Sequence, residues 1–451
     1  MPAPTQGQDS EGNLPWLYAG RAIRSFATAF LTVVFPLYLA RQHLSSTTVG
    51  AVLTAGSFLG AGLVAAVGIV GDRIGRRPVL IGVGLLGVLG ALALAGSTNV
   101  AVAAVASGLG GIGRGGGAGS GGAFGPFFPA EQPLLAASVP PAQRTRAFAR
   151  LGLLGVLAAA AGSLVAGLPA ALHDLGLSVD AGYRLVFVLG ALCSLVVVLV
   201  SLPLREPRPS RSSQGAGSAA LAAEAAAEEG PTTGAAHQGS AGQGSPGGLS
   251  TRQLIGRLGL TNALNGFGFG FLGPLLTYWF HVRFGVGSAE VGLVFTVVNL
   301  LSALPYLGAD RLTARLGAVR TVAVTRGLSV LLLIGMAPAP TFAIAAVLLT
   351  LRTVANSLGI PARQSYTMGV ADERRRGTVA ALGTLPSMVT SSISPVVGGA
   401  IMGAFVDIPI VGAAVFMGAN TLSYYLAFRH APPPEEQGRP ARAALRRSEE
   451  G

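Results

Sequence analysis

The sequence contains no lysine, because all 31 residues in its Lys and Arg total are arginine. A phosphate-binding P-loop requires a lysine that reaches the phosphates of a nucleotide, and a protein Schiff base requires a lysine amine. The missing lysine therefore excludes Walker-type ATP hydrolysis and Schiff-base chemistry by this chain alone.

Cysteine and histidine are scarce, with one Cys and five His among 451 residues. The single Cys193 excludes an intrachain disulfide and a metal site built from several cysteines. The histidines do not cluster, and no Ser, His and Asp arrangement has a supporting context. Gly108–Gly113 fits the GxGxxG pattern, but it lies in an apolar run after no predicted strand, so it does not indicate a dinucleotide site. We predict neither an enzyme nor a metal site.

Charged residues are few, at 11% of the chain, whereas 51% of the residues are hydrophobic. Soluble proteins carry about 25% charged residues. The apolar residues form runs near the roughly 20 residues that a helix needs to cross a bilayer. We therefore predict an all-α, multi-pass membrane protein. The twelve predicted spans are Leu17–Ala40, Val49–Val70, Val79–Gly96, Val100–Phe128, Ala149–Ala170, Leu185–Leu204, Leu254–Tyr278, Val291–Leu307, Val322–Ala337, Phe342–Ile360, Val379–Ile401 and Ile410–Phe428.

The arginines are distributed unevenly between the two sides that these spans define. If both termini are cytoplasmic, the cytoplasmic segments hold 23 of the 31 arginines, and the outer loops hold only Arg41, Arg184 and Arg283. Cytoplasmic loops of membrane proteins collect arginine and lysine. We therefore predict cytoplasmic termini and a place in the cell membrane. The formal net charge of +12 is then explained by the lipid surface and not by a nucleic acid partner.

The composition changes sharply between the sixth and seventh spans. Residues 207–250 are mainly Ser, Gly, Ala, Glu and Gln, and such a segment buries too little apolar surface to fold. We predict five regions along the chain, in this order: a cytoplasmic N-terminal segment 1–16, a six-helix bundle 17–204, a disordered linker 205–250, a second six-helix bundle 251–430 and a disordered tail 431–451.

The two halves repeat each other in sequence. Offsets of 238 residues relate Pro36 to Pro274, His43 to His281, Asp72 to Asp310 and Arg114 to Arg352. At an offset of 232 residues, "PAEQ" from Pro129 corresponds to "PARQ" from Pro361. Six spans per copy keep the same orientation, which is the parallel repeat of many transporters.

The segment "GIVGDRIGRR" lies in the predicted cytoplasmic loop between the second and third spans. It resembles the signature loop of the major facilitator superfamily, and the matching residues are Gly68, Asp72, Arg73, Gly75, Arg76 and Arg77. The second half keeps Asp310 and Arg311 of this pattern. The resemblance covers both halves and implies two pseudosymmetric six-helix bundles. It also implies that this loop latches the cytoplasmic side of the bundles in the outward-open state. The alternative is that its arginines only fix the topology.

Arg114 lies in the glycine-rich fourth span, where a charged side chain costs at least roughly 2.5 kcal/mol and faces a cavity or a partner. The segment is similar to the fourth-span motif of drug/proton antiporter-type members from bacteria and archaea, whose arginine is linked to proton coupling. Gly117 replaces the glutamine of that motif. The alternative is an arginine that extends to one interface and packs there.

Glu131 is the one carboxylate that we place inside an extension of the fourth span. Burial disfavours a charged carboxylate, as a proton carrier requires. Its repeat equivalent is Arg363, so we predict an ion pair between the two halves at the cytoplasmic end of the cavity. The alternative is that each of the two pairs within its own half. The remaining cavity candidates are Arg24, Asn262, Asn265 and Arg352, of which Asn265 begins a segment, to Pro274, that favours a broken helix.

These features predict a secondary active transporter that works by alternating access and draws on a proton gradient, with no cofactor. Our first interpretation is efflux of small apolar or amphipathic compounds by a monomer, with lipids as its other partners. The fifth span lacks the Gly-Pro-x-x-Gly-Gly run of antiporters, and "SPVVGG" from Ser394 occurs in the eleventh span instead. An importer or facilitator of a small polar or anionic solute is therefore the second interpretation, and a transport-inactive sensor or scaffold is the third.

Overall fold

The chain folds into helices that follow one another up and down. A computed structural model describes residues 12–112, 125–140, 143–206, 251–273, 275–304, 318–370 and 376–428. Over these residues it contains fifteen α-helices and no strand. Predicted features that fall elsewhere, including the linker after residue 206 and the tail after residue 428, lie outside the described residues.

Eight of the described helices belong to the first half of the chain. They are α1 (Leu14–Arg41), α2 (Ser46–Ile74), α3 (Arg76–Gly96), α4 (Val100–Leu109), α5 (Phe128–Ala137), α6 (Arg144–Val165), α7 (Leu168–Asp174) and α8 (Val179–Ser201). Side-chain caps begin several of them: Ser45 Oγ accepts a hydrogen bond from the Thr48 amide at 3.2 Å, and Ser178 Oγ accepts one from the Ala181 amide at 3.2 Å.

Seven of the described helices belong to the second half. They are α9 (Thr251–Leu272), α10 (Leu276–Phe284), α11 (Ser288–Ser302), α12 (Ala318–Met336), α13 (Phe342–Val370), α14 (Arg376–Met402) and α15 (Ile408–Phe428). The break between α9 and α10 falls inside the segment predicted to bend. Gly285, with φ of 69°, ends α10 in the left-handed conformation that glycine adopts without strain.

Helices occupy the positions of all twelve predicted spans, and five of the described helical stretches are long and apolar enough to cross a membrane. The fourth predicted span is described only in part, because α4 ends at Leu109, α5 begins at Phe128 and residues 113–124 lie outside the described residues. Gly110 and Gly111 follow α4, and Gly111 has a φ of 67°. Consecutive glycines favour such a stop, because each weakens a helix by about 1 kcal/mol relative to alanine.

The outer surface of the bundle is apolar, as a lipid environment requires. Large side chains such as Leu89, Leu331 and Val415 are 60%, 66% and 63% exposed. A water-soluble monomer rarely shows so many exposed large hydrophobic side chains in contiguous patches. The interior is closely packed around aromatic and aliphatic residues of α1, α8, α10 and α11.

We call the end of the bundle where α1 begins, at Leu14, the near end, and the end where α1 stops, at Arg41, the far end. At the near end Asn13 exchanges two hydrogen bonds with the backbone of Arg205, at 2.9 and 2.8 Å. This contact joins the first turn of α1 to the exit of α8. The two ends of the first half therefore meet at the near end.

The two halves meet at the far end through backbones that touch. A Cβ atom on Gly50 of α2 would lie 2.3 Å from the Pro395 carbonyl of α14, and one on Gly399 would lie 2.3 Å from the Ser46 carbonyl. Between α6 and α11, a Cβ atom on Gly292 would lie 2.5 Å from the Ser163 carbonyl. Small residues let membrane helices approach this closely.

Hydrogen bonds reinforce this far-end contact between the halves. The Val396 amide donates to Thr54 Oγ1 at 2.9 Å, and Ser46 Oγ lies 3.0 Å from the Tyr278 hydroxyl oxygen. Thr296 Oγ1 donates to the Ala160 carbonyl at 3.2 Å. The far end is therefore closed between the two halves in this structure.

The change Gly50→Val should force α2 and α14 apart, because the new side chain meets backbone atoms that have no room to shift. Gly62 lies on the same helix, and a Cβ atom there would have nothing within 4 Å, so Gly62→Val is the matched control. In a Cys193→Ser background with a reporter Thr54→Cys, we expect Gly50→Val to be labelled several-fold faster by a membrane-impermeant maleimide. Equal labelling rates in Gly50→Val and Gly62→Val would contradict the close packing.

Candidate functional site

A buried cluster of three charged side chains joins α1 to α5. Glu131, in the first turn of α5, is 2% exposed, and Arg21 of α1 is 3% exposed. Arg24 Nη2 lies 2.6 Å from Glu131 Oε2, and Arg21 Nη1 lies 3.5 Å from the same oxygen. The two arginines are three residues apart and so share one face of α1.

The cluster keeps charge inside the bundle by pairing it. A charged group in hydrocarbon is costly, and the cost is tolerated where an opposite charge or a wet cavity faces it. Arg24 gains a further contact, because its guanidinium carbon lies 4.7 Å from the centroid of the Phe127 ring. One carboxylate thus faces two guanidinium groups, and Glu131 is the common partner of both.

The role of Glu131 as a proton carrier, which the sequence suggested, stays a prediction. A proton on the Glu131 carboxylate would remove the negative charge that both arginines face. The attraction between α5 and α1 would then fall in a single step. A protonation event that changes helix–helix attraction is a chemical means of biasing a two-state element.

Arg24 and Glu131 were both predicted as cavity residues, and the structure places them in contact. Glu131 meets its described partners in its own half, which is the alternative that the sequence left open. Arg363 lies on α13, but its side chain is outside the described set, so the pair between the halves stays a prediction. Arg114, Asp310 and Arg311 also lie outside the described residues.

The predicted latch loop makes contacts within its own half. Gly75 has a φ of 99°, and a Cβ atom there would lie 2.8 Å from Glu206 Oε1. The Arg77 amide donates to this oxygen, and Arg77 Nη2 donates to the Leu202 carbonyl at 2.6 Å. The loop is therefore fastened to the end of α8, and only glycine fits at position 75.

The other latch residues are placed less fully. Gly68 lies on α2, Arg73 is exposed and Arg76 is half-buried, whereas the Asp72 side chain is outside the described set. A role of this loop in holding the two bundles together stays a prediction.

A second polar cluster lies inside the other half, between α9, α12 and α15. Arg326 of α12 is 8% exposed, and its Nη1 donates to Asn420 Oδ1 at 2.8 Å and to Asn265 Oδ1 at 3.4 Å. Asn420 Nδ2 in turn donates to the Thr261 carbonyl. Asn265, which the sequence predicted as a cavity residue, is thus part of a buried network. Asn262, the other predicted asparagine, lies three residues before it on α9 and is half-buried.

Arg352 of α13 borders this cluster. It is 9% exposed, and its Nη2 lies 3.4 Å from the sulfur of Met417 on α15. Arg326 contacts Asn420 and Arg352 contacts Met417, and these two partners are three residues apart on α15. The two cationic side chains therefore approach the same stretch of α15 within one bundle.

Our sequence prediction missed Arg21, Arg326 and Asn420 as site residues. The signal for Arg326 was available, because it lies inside a predicted span just as Arg114 and Arg352 do. The spacing of Arg21 and Arg24, about one helical turn, also indicated from the sequence that the two side chains share one face of the helix. Asn420 offered no such signal, because a single amide in an apolar helix has many roles.

Among the residues that the structure describes, no group of three or more His, Cys, Asp or Glu could hold a metal ion.

Comparison with known proteins gives a family match over most of the chain. The model of the Major Facilitator Superfamily matches residues 17–237 and 258–449. No curated protein sequence matches the chain. The family match spans both halves and leaves out only short segments at the two ends and between the halves.

Several solved structures share the fold at low sequence identity. A bacterial homologue of the human lysosomal transporter Spinster, in an inward-facing and occupied conformation, has a TM-score of 0.67 and 16% identity, over 95% of this chain and 98% of that chain. An auto-inhibited POT family peptide transporter has a TM-score of 0.67 and 15% identity, over 92% of this chain and 96% of that chain. The nucleoside transporter NupG has a TM-score of 0.62 and 13% identity, over 92% of this chain and 100% of that chain. Such likeness shows a common fold and not a common substrate.

Removing the Glu131 carboxylate should destabilise the protein, because two buried guanidinium groups then lose their shared partner. Breaking a buried ion pair from one side costs about 3–5 kcal/mol. We expect Glu131→Gln to lower the thermal unfolding temperature in detergent, and the double variant Glu131→Gln with Arg24→Gln to recover part of the loss.

The control for this experiment is Asp180→Asn, which breaks the exposed ion pair between Asp180 and Arg41. An exposed pair contributes at most about 1 kcal/mol. If Glu131→Gln proved no more destabilising than Asp180→Asn, the stabilising role that we assign to the cluster of Arg21, Arg24 and Glu131 would be contradicted.

Proposed function

Because the chain belongs to the Major Facilitator Superfamily, we propose that it is a proton-coupled secondary transporter that exports small apolar or amphipathic compounds. It is a membrane transporter and not an enzyme. We place it in the cell membrane with both termini in the cytoplasm, because this orientation puts most arginines at the cytoplasmic leaflet. A proton gradient would supply the energy.

The observation that carries the proposal is the buried carboxylate of Glu131 between Arg21 and Arg24. A transported proton needs a group that binds it within the membrane, and Glu131 is nearly fully buried among the described helices. Its two partners come from α1, which also packs against α10 and α11 of the other half. A change of charge at Glu131 therefore acts on a helix that contacts both bundles.

Alternating access requires two states that close opposite ends. In this structure the far end is closed by backbone contacts of α2 with α14 and of α6 with α11. With the cytoplasmic termini that we propose, the closed far end would face outward, as it would in a cytoplasm-facing state. A proton shifts such an equilibrium only by the difference in its affinity for the two states. We propose that Glu131 provides this difference.

Aromatic side chains support an apolar or amphipathic substrate. Phe26, Phe127 and Phe267 are half-buried, and the Phe267 ring stacks on Phe416 with centroids 5.0 Å apart. Phe30, in contrast, is fully buried and belongs to the packed core. Flat apolar rings that retain some exposure are typical of the walls of sites for such compounds.

A second candidate function has one specific observation in its favour. The adjacent Arg326 and Arg352 suit a solute with a negative group, which agrees with an importer or facilitator of a small polar or anionic compound. Direction separates the two functions. Cells that produce an exporter should accumulate less of a fluorescent compound than control cells, and cells that produce an importer should accumulate more.

Proton coupling can be measured in proteoliposomes that contain the full chain and trapped pyranine as a pH indicator. The probes are Nile red, ethidium and carboxyfluorescein, which are neutral, cationic and anionic amphipathic dyes. We expect at least one dye gradient to drive proton movement in the unmodified protein. In Glu131→Gln this movement should fall to the level of empty liposomes, because the proton has lost its carrier.

The matched control is Asp180→Asn, which removes an exposed carboxylate on the far side of the molecule and should keep full proton movement. The proposal fails if Glu131→Gln and Asp180→Asn move protons equally well. A sensor or scaffold without transport would show no proton movement with any dye.

A further inference from the structure

The adjacent arginines of the second half lie near the middle of the membrane. Arg352 is ten residues from the first residue of α13, and Arg326 is ten residues from the last residue of α12. A helix rises about 1.5 Å per residue, so both side chains start roughly 15 Å below the far end. The hydrocarbon core is about 30 Å thick, and transporters commonly bind their solutes near its midplane.

Arg352 uses little of its hydrogen-bonding capacity in this structure. A guanidinium group has five N–H donors. The described contact of Arg352 is with the sulfur of Met417, which is a weak acceptor. Its Nε is buried and has no hydrogen-bond partner among the residues that the structure describes. Within that part of the chain, at least this one donor of the Arg352 guanidinium is therefore unsatisfied.

The described helices that pack most closely against α13 supply no buried acid to Arg352. α12 contains no Asp and no Glu, and the one acid of α11, Glu290, is exposed in its first turn and accepts a hydrogen bond from the Gly287 amide at 3.0 Å. α13 itself and α15, which carries Met417, contain no Asp and no Glu. The first half differs, because there Glu131 faces two arginines. At the repeat position of Glu131 the second half carries Arg363, which adds positive charge. Arg326 and Arg352 are therefore the buried charged side chains among the described residues of the second half.

We propose that Arg352, with Arg326 beside it, binds the carboxylate of the transported solute, so that the substrate class is small amphipathic organic anions. This inference rests on the proposed transport function and narrows its substrate. A carboxylate matches the guanidinium fork with two parallel hydrogen bonds and is the anion that arginine prefers over lysine. The solute would supply the negative charge that the bundle lacks.

Binding of an anion would also change the stability of the protein. A buried charge without a partner destabilises the empty protein, and the arrival of the anion removes that cost. Arg326 is held by Asn265 and Asn420, so its position does not depend on the solute. Arg352 has the freer edge and is the group that the carboxylate would contact.

The test measures the thermal unfolding temperature of the purified full chain in detergent with benzoate, with its neutral isostere benzamide and with chloride. We expect benzoate to stabilise the unmodified protein in a concentration-dependent manner, and benzamide and chloride to have little effect. Benzoate and benzamide share one shape, so their difference reports the negative charge. Equal stabilisation by the amide, or by chloride, would overturn the proposal.

The variants Arg352→Gln and Arg352→Lys test the residue itself. Arg352→Gln should lower the apparent affinity for benzoate by about tenfold or more, because charge-assisted hydrogen bonds are lost. Without ligand, it should unfold at the same or a higher temperature than the unmodified protein. Arg352→Lys keeps the charge but not the fork, so its affinity should lie between the two. An unchanged benzoate response in Arg352→Gln would contradict the assignment.

The matched control is Arg320→Gln, which makes the same change at an exposed arginine of α12 and should keep the full benzoate response. If Arg352→Gln does not fold, Arg352→Lys and the difference between benzoate and benzamide still decide the question. Failure of the general transport function is a separate result. In that case no dye gradient moves protons even in the unmodified protein, whereas failure of the anion site leaves proton movement intact and removes only the preference for carboxylates.

Discussion

Compensation of charge inside a membrane-embedded bundle is the constraint on which the rest of this structure depends. A guanidinium or carboxylate group placed among apolar helices is tolerated only with an opposite charge, a hydrogen-bond network or a wet passage beside it. The first half meets this requirement internally, through Glu131 with Arg21 and Arg24. The second half holds Arg326 with two amide oxygens and leaves Arg352 beside a sulfur atom.

The packing at the far end gives this charge chemistry a mechanical consequence. Glycines at positions 50, 292 and 399 let helices of the two halves touch backbone to backbone. Such contacts are either formed or lost, because a close-packed interface does not stretch continuously. In the proposed transport cycle, a change of charge at Glu131 would act on α1 and so select between two arrangements of the bundles.

Much of the fold was predictable from the sequence, because the length of a hydrophobic run is a local property. Runs of apolar residues located the helices, and the segment from Gly68 to Arg77 identified the family, which the family match confirms. Within the fourth predicted span, the sequence did not predict the end of α4 at Leu109, where paired glycines allow the helix to stop in an apolar segment. Hydrophobicity alone does not distinguish a helix from a glycine-rich turn within the membrane.

The site was predicted only in part, since its contacts join residues far apart in the chain. Arg24 and Glu131 are separated by 107 positions, and no local pattern encodes which faces of α1 and α5 meet. Repeat symmetry suggested Arg363 as the partner of Glu131, but symmetry gives equivalent positions and not neighbours. Arg326 has no charged equivalent in the first half, where Val88 stands at the offset of 238 residues, so comparison of the halves did not reveal it.

The most direct test of the account is a pair of distance measurements by double electron–electron resonance in a Cys193→Ser background. Spin labels at Thr98 and Thr341 report the far end, and labels at Arg146 and Arg320 report the near end; all four positions are exposed. The account predicts that acidification changes the two distances in opposite directions, and that Glu131→Gln no longer responds to pH. Distances that change together, or that respond to pH equally with and without the Glu131 carboxylate, would contradict it.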